Sequence, residues 1–237
     1  MTSDPRLITA LDVPTVEEAQ GIVDRIGDAV SFYKVGLQLF ATDGMSLARK
    51  LKREGKQVFL DWKLHDIGAT VEKAAAALAE SGCDFLTVHA EPQVMKAAVR
   101  GRGAAGLKIL GVTVLTSLSD HDLAEIGYVD TAADLVARRV RQAIECGCDG
   151  VIASPNEAPQ VRSIARAEGR ADFLVVTPGI RPAGASLDDQ ARAATPGAAL
   201  KAGATHIVVG RPINAASDPR AAALEIVREI GDVSAMA

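Results

Sequence analysis

Short, β-branched apolar runs alternate along this chain with longer stretches, rich in Ala, Glu and Arg, whose apolar positions recur every three to four residues. The runs read as strands at Leu7 to Asp12, Ser31 to Val35, Gln57 to Asp61, Phe85 to His89, Lys108 to Leu115, Gly150 to Ala153, Phe173 to Thr177 and His206 to Gly210. Between them the helical period predicts amphipathic segments such as Val16 to Ile26, Val71 to Glu80, Ala132 to Glu145 and Ala221 to Ile230. The strands are apolar almost throughout, as in a parallel sheet covered on both faces. A weak repeat agrees: Ser81-Gly82-Cys83-Asp84, Cys146-Gly147-Cys148-Asp149 and Lys201-Ala202-Gly203-Ala204-Thr205 each close a helix and feed a strand. Eight strands in unbroken alternation with helices predict an α/β fold, a closed (β/α)8 TIM barrel. It forms a single domain over residues 1–237, with ends fraying near 1–5 and 231–237. A doubly wound open sheet is the alternative.

In such a barrel the chemistry sits at the carboxyl ends of the strands. Reading those ends gives Asp12, then Lys34, then Asp61 and Lys63, so three consecutive strands bring acid, base, acid and base to one rim. The last two belong to Asp61-Trp62-Lys63-Leu64-His65-Asp66, where an apolar strand runs out. Residues two apart in a strand face the same way, which puts Asp61 and Lys63 on one side and turns Trp62 toward the helices. At roughly 4 Å and an effective dielectric near 20, each opposite-charge contact is worth about 4 kcal/mol before desolvation is subtracted. A lysine so flanked suits a proton donor and fixed cation better than an amine nucleophile. Buried ion pairs stabilise a fold less well than apolar packing of similar volume. Four charges at one rim therefore favour function over a structural plug.

Two later strand ends have a different character. Thr177-Pro178-Gly179-Ile180-Arg181-Pro182 and Val208-Val209-Gly210-Arg211-Pro212 follow strands seven and eight, the usual place for phosphate in this architecture. Arg211 can add a bidentate contact to phosphate oxygens. The segment from Ala183 to Gln190 is small, polar and glycine-bearing, either a mobile lid or a plain surface loop.

Composition narrows the picture. With 48% hydrophobic and 24% charged residues and a net charge of -4, the 237 residues describe a soluble globular protein without the electrostatic footprint of nucleic-acid binding. No stretch is apolar enough for a bilayer, and the start at Met1-Thr2-Ser3-Asp4-Pro5 has no signal-peptide pattern, so no membrane partner and a cytoplasmic location are expected. Three cysteines are an odd number and read as buried small hydrophobes. The histidines at 65, 89, 121 and 206 lack metal-site spacing, and no metal is expected. His65 reads as a packing or hydrogen-bonding neighbour of the motif, and His89 as a buried structural imidazole.

The chain resembles the orotidine 5′-monophosphate decarboxylase family over almost its whole length. The likeness is carried by Ala10-Leu11-Asp12, Lys34-Val35-Gly36, the stretch from Asp61 to Thr70, Thr87-Val88-His89-Ala90, Val114-Leu115-Thr116-Ser117, Pro178-Gly179-Ile180-Arg181-Pro182 and Val209-Gly210-Arg211-Pro212. The resemblance implies a cofactor-free, metal-free decarboxylase making UMP, and a homodimer with active sites at the interface. Lys34, Asp61 and Lys63 would come from one subunit and Asp66 from its partner, with Lys63 protonating carbon 6 of the pyrimidine. It further implies that Asp12 and Lys34 contact the ribose and that Ile67 and Thr70 close the neighbouring site. Thr116 and Ser154 would line the nucleotide, with Ser154 reading the base, while Gln190, Gly210 and Arg211 hold the phosphate with Arg181. Related barrels with the same Asp-x-Lys-x-x-Asp element place a metal-binding acid near the end of strand two, where this chain has Lys34. A Schiff-base aldolase needs a neutral amine, which flanking aspartates disfavour. A non-enzymatic UMP sensor would need no charge network.

Overall fold

The computed structural model describes residues 3–182 and 194–235 of the chain. In chain order its elements are β1 (Leu7–Ala10), α1 (Val16–Ile26), β2 (Phe32–Gly36), α2 (Leu37–Phe40), α3 (Gly44–Arg53), β3 (Gln57–Leu64) and α4 (Gly68–Ala79). There follow β4 (Phe85–His89), α5 (Pro92–Arg102), β5 (Lys108–Val112), α6 (Asp120–Glu125), α7 (Ala132–Glu145) and β6 (Gly150–Ile152). The chain ends with α8 (Ala158–Ala167), β7 (Leu174–Thr177), α9 (Pro196–Lys201), β8 (His206–Val209), α10 (Arg211–Asn214) and α11 (Pro219–Ala235). Among the described residues the strands pair in parallel and in sequence order, and β8 closes on β1. The TIM barrel is thus confirmed and the open sheet excluded.

Two apolar layers hold it. The inward side chains Ile8, Ala10, Phe32, Phe59, Phe85, Leu110, Val176 and Val208 fill the barrel, separate from the larger shell between sheet and helices. Phe85 meets Phe32 edge-on at 5.0 Å and Phe59 at 5.9 Å, an arrangement aromatic quadrupoles favour. α1 shows how the outer layer is written: Ala19, Ile22, Val23 and Ile26 are buried, and Thr15 caps the helix through the Glu18 amide at 3.2 Å.

The helix-closing repeat has a shared mechanical task. Asp84 accepts the amide of Val58 and the ammonium of Lys52, each at 2.7 Å. Asp149 takes the amide of Ile109 at 2.9 Å together with the Arg102 guanidinium. Thr205 accepts the amide of Val175 at 3.0 Å. Each clasp ties the start of one strand to the start of its neighbour, behind a glycine with positive φ at 82, 147 or 203.

Several strands are shorter than the apolar runs suggested. β1 stops at Ala10 and β5 at Val112, because the residues beyond bend into the rim loops. β3 is longer, continuing through Lys63 to Leu64. The last helix passes Gly231 and runs to Ala235. The three cysteines are free and buried.

Candidate active site

The floor of the site is aromatic and its upper layer is charged, because side chains two residues apart share a face. Lys34 follows Phe32, Asp61 follows Phe59 and Thr87 follows Phe85, so three phenylalanines of the barrel interior lie beneath a lysine, an aspartate and a threonine. Asp12 and Lys63 extend that layer. Lys34 Nζ lies 2.8 Å from Asp12 Oδ1 and 3.4 Å from Asp61 Oδ2, and Lys63 Nζ lies 2.9 Å from Asp61 Oδ1. The order Asp12, Lys34, Asp61, Lys63 alternates in sign from β1 to β3.

Burial opposes charge on both inner members, and their neighbours overcome it. Desolvation pulls the Lys34 ammonium toward neutrality, but Asp61 and Asp12 outweigh this and hold its pKa above the ordinary lysine value. Burial likewise pushes the Asp61 carboxyl up, while Lys34, Lys63 and the hydroxyl of Thr87 bring it below the usual aspartate value. Both groups are therefore fixed in their charged forms at neutral pH.

The site motif does not follow regular strand alternation. Phe59 pairs with Phe85 and Leu60 with Leu86, but the next pairing is Leu64 with Val88. Lys63 has φ 47°, the left-handed region that a lysine rarely adopts. Asp61 and Lys63 still converge, through a bulge rather than a flat strand. Trp62 is buried beside Phe40 of α2 at a centroid distance of 4.5 Å, on the helix side as expected.

A cavity of about 600 Å³ opens above this layer, a size suited to a nucleotide-scale ligand. Asp12, Lys34, Asp61 and Lys63 line one side; Gly179, Arg181, Gly210 and Arg211 line the side after β7 and β8; Thr116 stands between. Arg181 is buried and donates through Nη1 to the carbonyl of Ile180 at 3.0 Å. Ser154 is buried outside the cavity lining, with its amide 3.0 Å from Glu157 Oε2 and its hydroxyl on the same oxygen. Gln190 lies outside the described residues.

Asp66, Ile67 and Thr70 are not brought to this cavity. All three are exposed, and Asp66 Oδ1 accepts the amide of Ile67 at 2.6 Å. His65 Nε2 lies 2.5 Å from Glu91 Oε2, beside the motif. His89 is half-buried rather than buried, 5.0 Å from the His65 ring, and burial together with His65 lowers its pKa. Two contributors stand outside the residues that the sequence singles out for a role. Thr87 bonds Asp61 and Lys63, a role its position two residues past Phe85 could have signalled. Asn214 lines the cavity and donates to the carbonyl of Ala10 at 2.6 Å, a contact with no local sequence signal.

A closed barrel with alternating charges at one end of its cavity and glycines and arginines at the other defines a class of (β/α)8 proteins built for anionic small molecules. Residues 5–226 match the family model described as orotidine 5′-phosphate decarboxylase / HUMPS family, and the chain belongs to that family. It is 64% identical over 233 residues to an orotidine 5′-phosphate decarboxylase of Caulobacter vibrioides (strain NA1000 / CB15N), covering 98% of this chain and 100% of the relative. It is 66% identical over 230 residues to the protein of that name from Caulobacter sp. (strain K31), covering 97% and 99%. The crystal structure of orotidine 5′-phosphate decarboxylase from Lactobacillus acidophilus superposes with a TM-score of 0.82 at 40% identity, covering 96% of this chain and 99% of that one.

Proposed function

We propose that this chain decarboxylates orotidine 5′-monophosphate to UMP and carbon dioxide, the last step of de novo pyrimidine biosynthesis, without metal or cofactor. The observation that carries this reading is the Lys34–Asp61–Lys63 network facing a cavity with arginines at its far side, in a chain whose relatives bear that activity's name. Loss of carbon dioxide leaves an electron pair on an sp2 carbon with no conjugated sink. Fixed charge directed at that centre stabilises it without reorganisation, and Lys63 supplies the proton to carbon 6. Asp61 holds the Lys63 ammonium and crowds the departing carboxylate. Binding energy from the phosphate, gathered by Gly210, Arg211, Arg181 and Gln190, holds the reacting group in place. Asp12 and Lys34 bind the ribose, and Thr116 and Ser154 line the nucleotide, with Ser154 reading the base.

The family also takes in sugar-phosphate synthases. Lys34 argues against that chemistry here, because an ammonium bonded to Asp61 occupies the place where a divalent cation would need a carboxylate.

The active protein is a homodimer in which Asp66, Ile67 and Thr70 complete the partner's site. Two features support this: Asp66 stands apart from the lysines of its own chain, and Leu37, Phe40 and Ile67 expose large apolar side chains after the neighbouring strands β2 and β3. Among the described residues no helix is long and apolar enough to cross a membrane, and the cytoplasm is the proposed location. Purified protein mixed with orotidine 5′-monophosphate should show the ultraviolet change of UMP formation after exhaustive chelation. Failure to turn over, or dependence on added metal, refutes the assignment.

A further inference from the structure

Thr87 occupies a singular place in the β3–β4 ladder. Pairing is regular at Leu60 with Leu86 and resumes at Leu64 with Val88, so three residues of β3, Asp61, Trp62 and Lys63, oppose the single residue Thr87. The threonine is fully buried and does not line the cavity. Its Oγ1 lies 3.0 Å from the amide nitrogen of Lys63 and 2.9 Å from Asp61 Oδ1. An ionised carboxylate has no proton to give, so the hydroxyl donates to Asp61 and accepts from the Lys63 amide. One hydroxyl thus holds both the carboxylate that orients the Lys63 ammonium and the backbone that carries it. That backbone needs holding, for Lys63 is the one non-glycine residue with positive φ among the described residues.

We infer that Thr87 is a positioning residue for the decarboxylation: its hydroxyl pins the bulge of β3 so that Lys63 and Asp61 face the reacting carbon together. The inference rests on the activity proposed above and assigns the work to a side chain that never touches substrate. Packing alone does not explain the residue, since a valine of equal shape would fill the space and make neither hydrogen bond. Electrostatics supply an independent readout. Asp61 faces Lys34 from β2, Lys63 from its own strand and the Thr87 hydroxyl from β4; Asp12 and His89 face those lysines in turn. Burial raises the Asp61 pKa, and the hydroxyl is one of the groups that lower it. Removing the hydroxyl must therefore shift Asp61 titration to higher pH.

The test compares Thr87→Val with Thr87→Ser. Thr87→Val should lower kcat by about 30-fold or more, with KM for orotidine 5′-monophosphate and Kd for UMP changed by less than about threefold. The acidic limb of its kcat profile should move to higher pH, and carbon-13 NMR of the ligand-free protein should show Asp61 titrating higher. Thr87→Ser, which keeps both bonds, should lie within about threefold of wild type in kcat with the original acidic limb. Unchanged kcat and Asp61 titration in Thr87→Val would overturn the inference, as would a serine variant impaired as severely as valine. Should the valine variant fail to fold, Thr87→Ala takes its place under the same criteria. If the wild-type protein does not turn over, the activity reading falls, and the ligand-free titration still decides whether Thr87 governs Asp61.

Discussion

Gly36 passes so close to Asp12 that a Cβ at residue 36 would stand 2.7 Å from Asp12 Oδ1, and 3.0 Å from Lys34 Nζ. The Asp12–Lys34 pair exists in its present form because residue 36 has no side chain. Both crowded atoms are the ends of flexible side chains, so Gly36→Ala should fold normally. Its methyl group should push the pair out of place and raise KM by about tenfold, with a smaller effect on kcat. Steady-state kinetics beside a melting curve checks this.

Lys63→Ala should reduce turnover by at least about 10³-fold while UMP binding remains measurable, because the proton donor is lost and Asp61 keeps Lys34 and Thr87 as partners. The left-handed backbone gives a second, purely structural outcome. Lys63→Gly should be more stable than Lys63→Ala by about 1 kcal/mol, since glycine alone adopts that conformation without strain. Urea unfolding of the two variants measures the difference.

If Asp66 acts across a dimer interface, two dead proteins should rescue each other. Mixing Lys63→Ala with Asp66→Ala and allowing subunits to exchange gives hybrids with one intact site each, and about a quarter of wild-type activity. No recovery after verified exchange would place Asp66 elsewhere.

His206 lies among the rings of the barrel floor, 5.2 Å from Phe85, and its Nδ1 is 3.0 Å from Thr205 Oγ1. Burial, partly offset by Asp4, lowers its pKa to about 4 from the ordinary 6.5. The unfolded chain then takes up a proton that the folded protein refuses, so the contribution of His206 is intact above pH 6.5 and drains away as pH falls toward 4. The loss amounts to about 2–3 kcal/mol over that window. In His206→Gln the stability difference between neutral and acidic pH should shrink by that amount, read from urea midpoints at the two pH values.

Packing between α4 and α5 depends on Gly101, where a Cβ would meet the carbonyl oxygen of Glu72 at 2.1 Å. Backbone cannot yield as a side chain can. Gly101→Ala should cost about 3 kcal/mol of stability, read from urea unfolding beside the wild-type protein.

Alternation of apolar runs and amphipathic stretches carried the barrel, because parallel strands and covering helices each leave a distinct period in the chain. α1 and α7 fall where their periodicity put them, at Val16–Ile26 and Ala132–Glu145. Strand ends were less legible: Leu11, Val114 and Ala153 stay apolar after the ladder stops, since rim loops are buried too. The charges at 12, 34, 61 and 63 were readable from their place at strand ends. What could not be read was the irregularity that unites the last two, because a left-handed lysine leaves no mark in composition. The Asn214–Ala10 contact was hidden for a related reason, since it joins residues 204 positions apart.

The ladder between β3 and β4 resumes at Leu64 with Val88 after its irregular stretch. Strain at the lysine is thereby quarantined between two regular pairings and is not passed on to the rest of the cylinder. The barrel can keep its cooperative stability while the few atoms that matter for chemistry are retuned locally, one rung at a time.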